Sequence, residues 1–150
     1  MRTICFKNRP SINGFFSVVG KKEGEGPMRN WFDRILDDAH FGEKSWEKAE
    51  SKMLFTAANG ALNTAGLTSE GVDLFLGGDL LNQCIATNYT LRQLEIPYLG
   101  IYGACSTMAE SMIIGASLIE GRISENILCG AGSHFCTAEQ IGRASCRERV

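Results

Sequence analysis

The sequence predicts an α/β fold with a mainly parallel sheet, because short apolar runs alternate with helical patterns along the chain. The predicted strands are residues 72–77, 98–102 and 126–131. The predicted helices are residues 45–66, 87–94 and 106–120. Each strand is short and largely apolar, as is typical of strands that are covered on both faces of a parallel sheet. The strict alternation then requires right-handed crossovers between the strands.

The first of these helices has clear boundaries. Ser45 is a suitable N-cap, Trp46 begins an apolar stripe with steps of three and four residues, and Gly66 is a suitable C-terminal glycine. Upstream, the spacing of large apolar side chains predicts a further short helix over residues 30–39. The charged, glycine-rich segment 20–27 matches neither a P-loop nor a dinucleotide-binding motif, so we interpret it as a surface loop.

The helix at residues 106–120 is unusually apolar. Glu110 is its only charged residue before Glu120, and apolar side chains occur on nearly every side. Such a helix is predicted to be buried all round. Residues 141–150, in contrast, contain three arginines and no core periodicity. We therefore expect a non-native or truncation tail there, and an α/β layer over residues 1–140.

Composition argues against several classes of protein. The 150 residues fit a single domain, and a hydrophobic content of 44% is sufficient for a core. Lysine and arginine number 15 against 17 acidic residues, so no nucleic-acid partner is expected. The apolar stretches end well before the roughly 18 residues of a spanning helix, and the N-terminus has no apolar secretory segment. The six cysteines are expected to be reduced, and their spacing indicates neither a metal site nor a cofactor.

Cys105 lies where the second strand turns into the apolar helix. The carboxyl edge of a parallel sheet is where ligands bind in this class of fold. The unpaired N–H groups at a helix N-terminus favour a thiolate and bind carboxylates or oxyanions. We therefore predict that Cys105 and Ser106 belong to a binding or active site, against the alternative of a packed thiol. The hydrolase pattern Gly-x-Ser-x-Gly fails, since its last position is Thr107.

Four further residues are weaker candidates. Asp79, Asn82 and Gln83 follow the first strand and are candidates for the same edge, although capping of the next turn is the simpler interpretation. His134 follows the third strand, and a structural, hydrogen-bonded histidine is the corresponding alternative to a ligand contact. The predicted ligand-binding set is therefore Cys105, Ser106, Asp79, Asn82 and His134.

Several segments together resemble the thiolase-like superfamily and, within it, the stage V sporulation protein AD family of spore-forming bacteria. They are GEGP (24–27), SWEKAE (45–50), GDLLNQ (78–83), LGIYGACS (99–106), SHF (133–135) and TAE (137–139). The resemblance covers about residues 1–140. It implies two stacked halves, each a mixed sheet flanked by helices, of which this chain supplies the N-terminal one. It also implies a homodimer.

The resemblance implies binding of dipicolinic acid (pyridine-2,6-dicarboxylate) for its uptake into the developing spore. The protein would act as a subunit of a membrane transport complex, in the forespore cytoplasm or peripherally on the spore inner membrane. The alternative is an acyltransferase like β-ketoacyl synthase III, with Cys105 as the nucleophile. Neither His40 nor His134 matches the family's catalytic histidines, so we favour a non-catalytic binder. A structural subunit with a vestigial pocket is the third possibility.

Overall fold

The structure is a computed structural model, and it describes residues 3–80 and 84–133. Its strands are β1 (Val18–Val19), β2 (Arg34–Ile35), β3 (Leu74–Asp79), β4 (Tyr98–Gly100) and β5 (Ile127–Gly132). Its α-helices are α1 (Lys21–Gly24), α2 (Trp46–Ala65), α3 (Ile85–Leu94) and α4 (Thr107–Glu120). Short 3₁₀ turns occupy Arg29–Trp31, Ser69–Gly71 and Ala104–Ser106.

The central sheet confirms the predicted fold class. It has three strands in the order β4-β3-β5, and both pairs are parallel. Leu76 at its centre lies opposite Leu99 on one side and Cys129 on the other. The observed strands start or end up to two residues away from the predicted positions. The carboxyl ends of the three strands therefore lie at one edge of the sheet. The predicted site residues come directly after these strand ends in the chain.

Helices cover both faces of this sheet. On one face, α2 and α3 enclose a core in which Leu54, Leu62, Phe75 and Leu94 are buried. The cap of α2 is as predicted, because the Ser45 hydroxyl accepts a hydrogen bond from the Lys48 N–H.

Helix α4 covers the other face. It approaches the sheet through Gly115, where an added Cβ would lie 3.3 Å from the Cys129 sulfur and 3.5 Å from Leu76 Cδ1. The prediction that this helix is buried all round is wrong for the part of the chain that the structure describes. Its opposite side is exposed, with Ile113 at 55% of its full accessibility. An apolar sequence shows that a helix needs cover, but not which segment supplies it.

The predicted helix over residues 30–39 is also wrong. That segment forms a 3₁₀ turn and then β2, which pairs in parallel with β1. The carboxylate of Asp33 accepts hydrogen bonds from the Ser17 N–H at 2.7 Å and from the Ser17 hydroxyl at 2.8 Å. These bonds hold the pKa of Asp33 below its usual value. A contact between residues far apart in sequence thus overrides a helical spacing that is only local.

No helix within residues 3–80 and 84–133 combines the length and the hydropathy needed to cross a bilayer.

Candidate functional site

Cys105 lies at the carboxyl edge of the sheet, in the turn between β4 and α4. The thiol is exposed. Ala104, the residue before it, has a φ of +50°. This left-handed conformation is energetically unfavourable for any residue other than glycine. The Ser106 N–H bonds the Gly103 carbonyl at 3.0 Å, and the Gly103 N–H bonds the Thr107 hydroxyl at 3.2 Å. The turn is therefore tightly constrained and presents its central thiol to solvent.

Glu110, one turn into α4, lies against this turn. Its carboxylate contacts the Ser106 hydroxyl in a hydrogen bond. A Cβ added at Gly103 would lie 2.6 Å from Glu110 Oε2, so a larger residue there would collide with the carboxylate. A larger residue at position 103 would therefore force the Glu110 side chain to shift. Sequence reasoning noted Glu110 as the isolated charge of an apolar helix but did not place it in the site. Its position four residues after Ser106 was the available indication.

Asp79 ends β3 and caps α3. Its side chain has no solvent exposure. Its two oxygens accept hydrogen bonds from the Ala86 N–H at 2.7 Å, the Thr87 N–H at 3.0 Å and the Thr87 hydroxyl. This geometry corresponds to the capping interpretation rather than to a ligand contact. Asp79 stabilises the helix N-terminus as an anion does in general.

A second buried carboxylate lies near Asp79, at the end of β5. Glu50 of α2 is only 4% exposed. A Cβ added at Gly132 would lie 3.3 Å from Glu50 Oε1 and 3.7 Å from Asp79 Oδ1. Sequence reasoning did not identify Glu50 as a buried residue. Asn82, Gln83 and His134 lie outside the described residues.

The interior of the same edge is held by Cys84 and Tyr98. The Cys84 thiol lies 3.8 Å from the Ile101 carbonyl oxygen, and the Tyr98 hydroxyl donates to the Gly77 carbonyl at 3.3 Å. Burial raises the pKa of Tyr98 well above its usual value, so this phenol stays protonated. These two side chains therefore pack against the backbone of β3 and of the segment that leads from β4 to Cys105.

A separate apolar cavity of about 580 Å³ lies between the N-terminal segment, α2, α4 and β5. Met108 and Met112 line it together with Phe16 and Leu62. Cys105 is not among the described residues that line it. The two methionines therefore face a different space from the thiol.

The arrangement at Cys105 suits binding of a polar group or covalent capture of an acyl group. An exposed sulfur lies in the turn that leads into α4, where the Ser106 and Thr107 N–H groups already bond the Gly103 and Ala104 carbonyls. Glu110 adds a negative charge within the same turn. The site is therefore accessible and locally charged.

This architecture is the thiolase-like α/β fold. The crystal structure of 3-oxoacyl-[acyl-carrier-protein] synthase III from Aquifex aeolicus VF5 superposes with a TM-score of 0.56 and 24% identity, over 64% of this chain and 32% of that one. Identity at that level shows a shared fold only.

The chain belongs to the family Stage V sporulation protein AD (SpoVAD), whose family model matches residues 1–146. The match extends into residues 141–150, where the sequence predicted a tail. The stage V sporulation protein AD of Bacillus subtilis (strain 168) is 39% identical over 139 residues, which are 93% of this chain. The chain spans 41% of that relative's length.

Proposed function

We propose that the protein binds dipicolinic acid at the Cys105 turn and serves its uptake into the developing spore, as a subunit of a membrane transport complex. The observation that carries the proposal is the exposed Cys105–Ser106 turn at the carboxyl edge of the sheet, in a chain of a sporulation protein family. Dipicolinate is a planar dianion that needs N–H donors and a flat slot. The start of α4 offers the positive end of a helix dipole, which favours an anion.

The alternative function is acyl transfer. The exposed thiol favours it, because a cysteine at a helix N-terminus is the arrangement of an acyl-accepting nucleophile. In that reaction the Cys105 sulfur would attack a thioester carbonyl, form a new thioester and expel the first thiol. The two functions make opposite demands on the sulfur atom, so they are separable by substitution.

The experiment compares wild-type full-length protein with the variants Cys105→Ala and Cys105→Trp. Dipicolinate binding is measured by calorimetry, and acyl transfer is measured with a panel of acyl-coenzyme A thioesters. Cys5→Trp is the matched control. Cys5 is also exposed, but its neighbours Lys7 and Asn8 bond Glu120 at the opposite end of α4.

For a binder we expect Cys105→Trp to abolish the dipicolinate heat, since the indole would block access to the turn. Cys105→Ala should weaken binding only modestly, and the Cys5 control should bind as wild type does. For an acyltransferase, Cys105→Ala should erase turnover. Sulfur-dependent acyl transfer, with no dipicolinate heat in the wild type, would refute the proposal.

We also propose that the protein is a homodimer that works with other subunits of the sporulation membrane complex. Within the described residues β5 pairs with β3 alone, so its other edge offers hydrogen-bonding groups to a second strand. Analytical ultracentrifugation of the full-length protein tests the dimer. A monomer at high concentration would contradict it.

A further inference from the structure

The Glu110 carboxylate lies against the turn that carries the Cys105 thiol. The carboxylate lies over Gly103 on one side of the cysteine and contacts the Ser106 hydroxyl on the other. Gly103 and Ser106 flank Ala104 and Cys105 in the chain, so the negative charge contacts the turn on both sides of the residue that carries the thiol. Glu110 is half-buried, which reduces its screening by solvent.

This charge occupies the electrostatic position of an anionic ligand. A helix N-terminus carries a partial positive charge, and a carboxylate in its first turn neutralises that charge. Glu110 is the acidic residue in the first turn of α4. An incoming carboxylate therefore meets a helix end that is already compensated by the protein's own side chain. Two like charges at such distances repel each other appreciably even near a protein surface.

We propose that Glu110 determines the charge selectivity of the Cys105 site. Its carboxylate takes the place of a ligand carboxylate at the start of α4, and an anionic ligand must displace it to bind. The identity of the ligand rests on the proposed function, whereas the charge effect on Cys105 does not. Glu110 is thus a specificity-determining residue, and its contact with the Ser106 hydroxyl positions it.

The first test measures the thiol itself in the full-length protein. Alkylation of Cys105 by anionic iodoacetate and by neutral iodoacetamide is followed by mass spectrometry of the Cys105 peptide. Glu110→Gln keeps an oxygen that accepts from Ser106 but removes the charge. It should raise the ratio of the iodoacetate rate to the iodoacetamide rate about threefold or more. Any general change in thiol reactivity cancels in this ratio.

The control is Glu70→Gln. Glu70 is exposed and precedes β3, so it lies at the edge of the sheet opposite Cys105. This variant changes the net charge equally and should leave the ratio unchanged. Glu110→Ala is a second variant that should change the ratio in the same direction as Glu110→Gln. An unchanged ratio in both Glu110 variants would overturn the inference, whatever the protein binds.

The second test is calorimetry with dipicolinate, which has two carboxylates, and with pyridine-2-carboxylate, which has one. Glu110→Gln should tighten dipicolinate binding about tenfold and pyridine-2-carboxylate binding by a smaller factor. Equal dipicolinate affinity in wild type and Glu110→Gln would refute displacement of Glu110 by the ligand and leave the proposed function standing. Absence of dipicolinate binding in wild type and variant, together with the altered alkylation ratio, would refute the proposed function and support the charge selectivity.

Discussion

Replacing Asp79 by asparagine should destabilise the protein severely, although the two side chains have nearly the same shape. The carboxylate is fully buried and uses both oxygens, Oδ2 for the Ala86 N–H and Oδ1 for the N–H and hydroxyl of Thr87. An asparagine has one oxygen. If that oxygen replaces Oδ1, the NH₂ group faces the Ala86 N–H, and two buried donors oppose each other.

The size of the effect follows from these contacts. Hydrogen bonds to a charged group contribute about 1.5–3 kcal/mol each, and an unsatisfied buried donor costs about 1–3 kcal/mol. The variant loses one such bond at Ala86 and weakens the two at Thr87. We therefore expect the free energy of unfolding to fall by about 3 kcal/mol. Urea-induced unfolding of the full-length protein, followed by circular dichroism, measures this change.

Asp73→Asn is the matched control. Asp73 precedes the same strand, is exposed, and accepts its bonds from the Glu125 and Asn126 N–H groups through Oδ2 alone. A single amide oxygen can replace that acceptor, so the loss should be much smaller than for Asp79→Asn. Equal, small losses in both variants would refute the capping role of Asp79. They would make a ligand contact at the sheet edge the better interpretation.

Three further predictions concern packing, capping and thiol chemistry. Gly77→Ala should lower the free energy of unfolding by about 3 kcal/mol in the same urea experiment, because the added Cβ would collide with the Gly130 carbonyl of β5. Gly71→Ala is the control and should be nearly neutral, because its added Cβ would have its nearest neighbour at 3.6 Å. Ser45→Ala should cost about 1 kcal/mol by removing the α2 cap, and no change would show that the cap is dispensable. Burial raises the pKa of Cys129 to about 11. At pH 8 iodoacetamide should therefore modify the exposed Cys105 and spare Cys129. Labelling of Cys129 should rise only as the pH approaches about 11. Equal labelling at pH 8 would contradict this.

Elements whose causes are local were predicted well. The bounds of α2 follow from the cap at Ser45 and the left-handed glycine at Gly66, which lie at its two ends. The strands follow from apolar runs between turn residues. The helix predicted over residues 30–39 was wrong because a contact between Ser17 and Asp33, which are sixteen residues apart, holds the chain in an extended form. Periodicity contains no information about such a contact.

The sequence by itself determined the parallel α/β class, the position of Cys105 at a strand-to-helix turn, and the family. Each of these depends on the order of residues along the chain. Only the tertiary structure decided that Asp79 caps α3, that Glu50 is buried, and that Glu110 lies over Gly103. The reason is physical. The environment of a carboxylate is set by the N–H groups, hydroxyls and glycines that folding brings to it from elsewhere in the chain. In the unfolded chain all three carboxylates would be solvated by water in the same way.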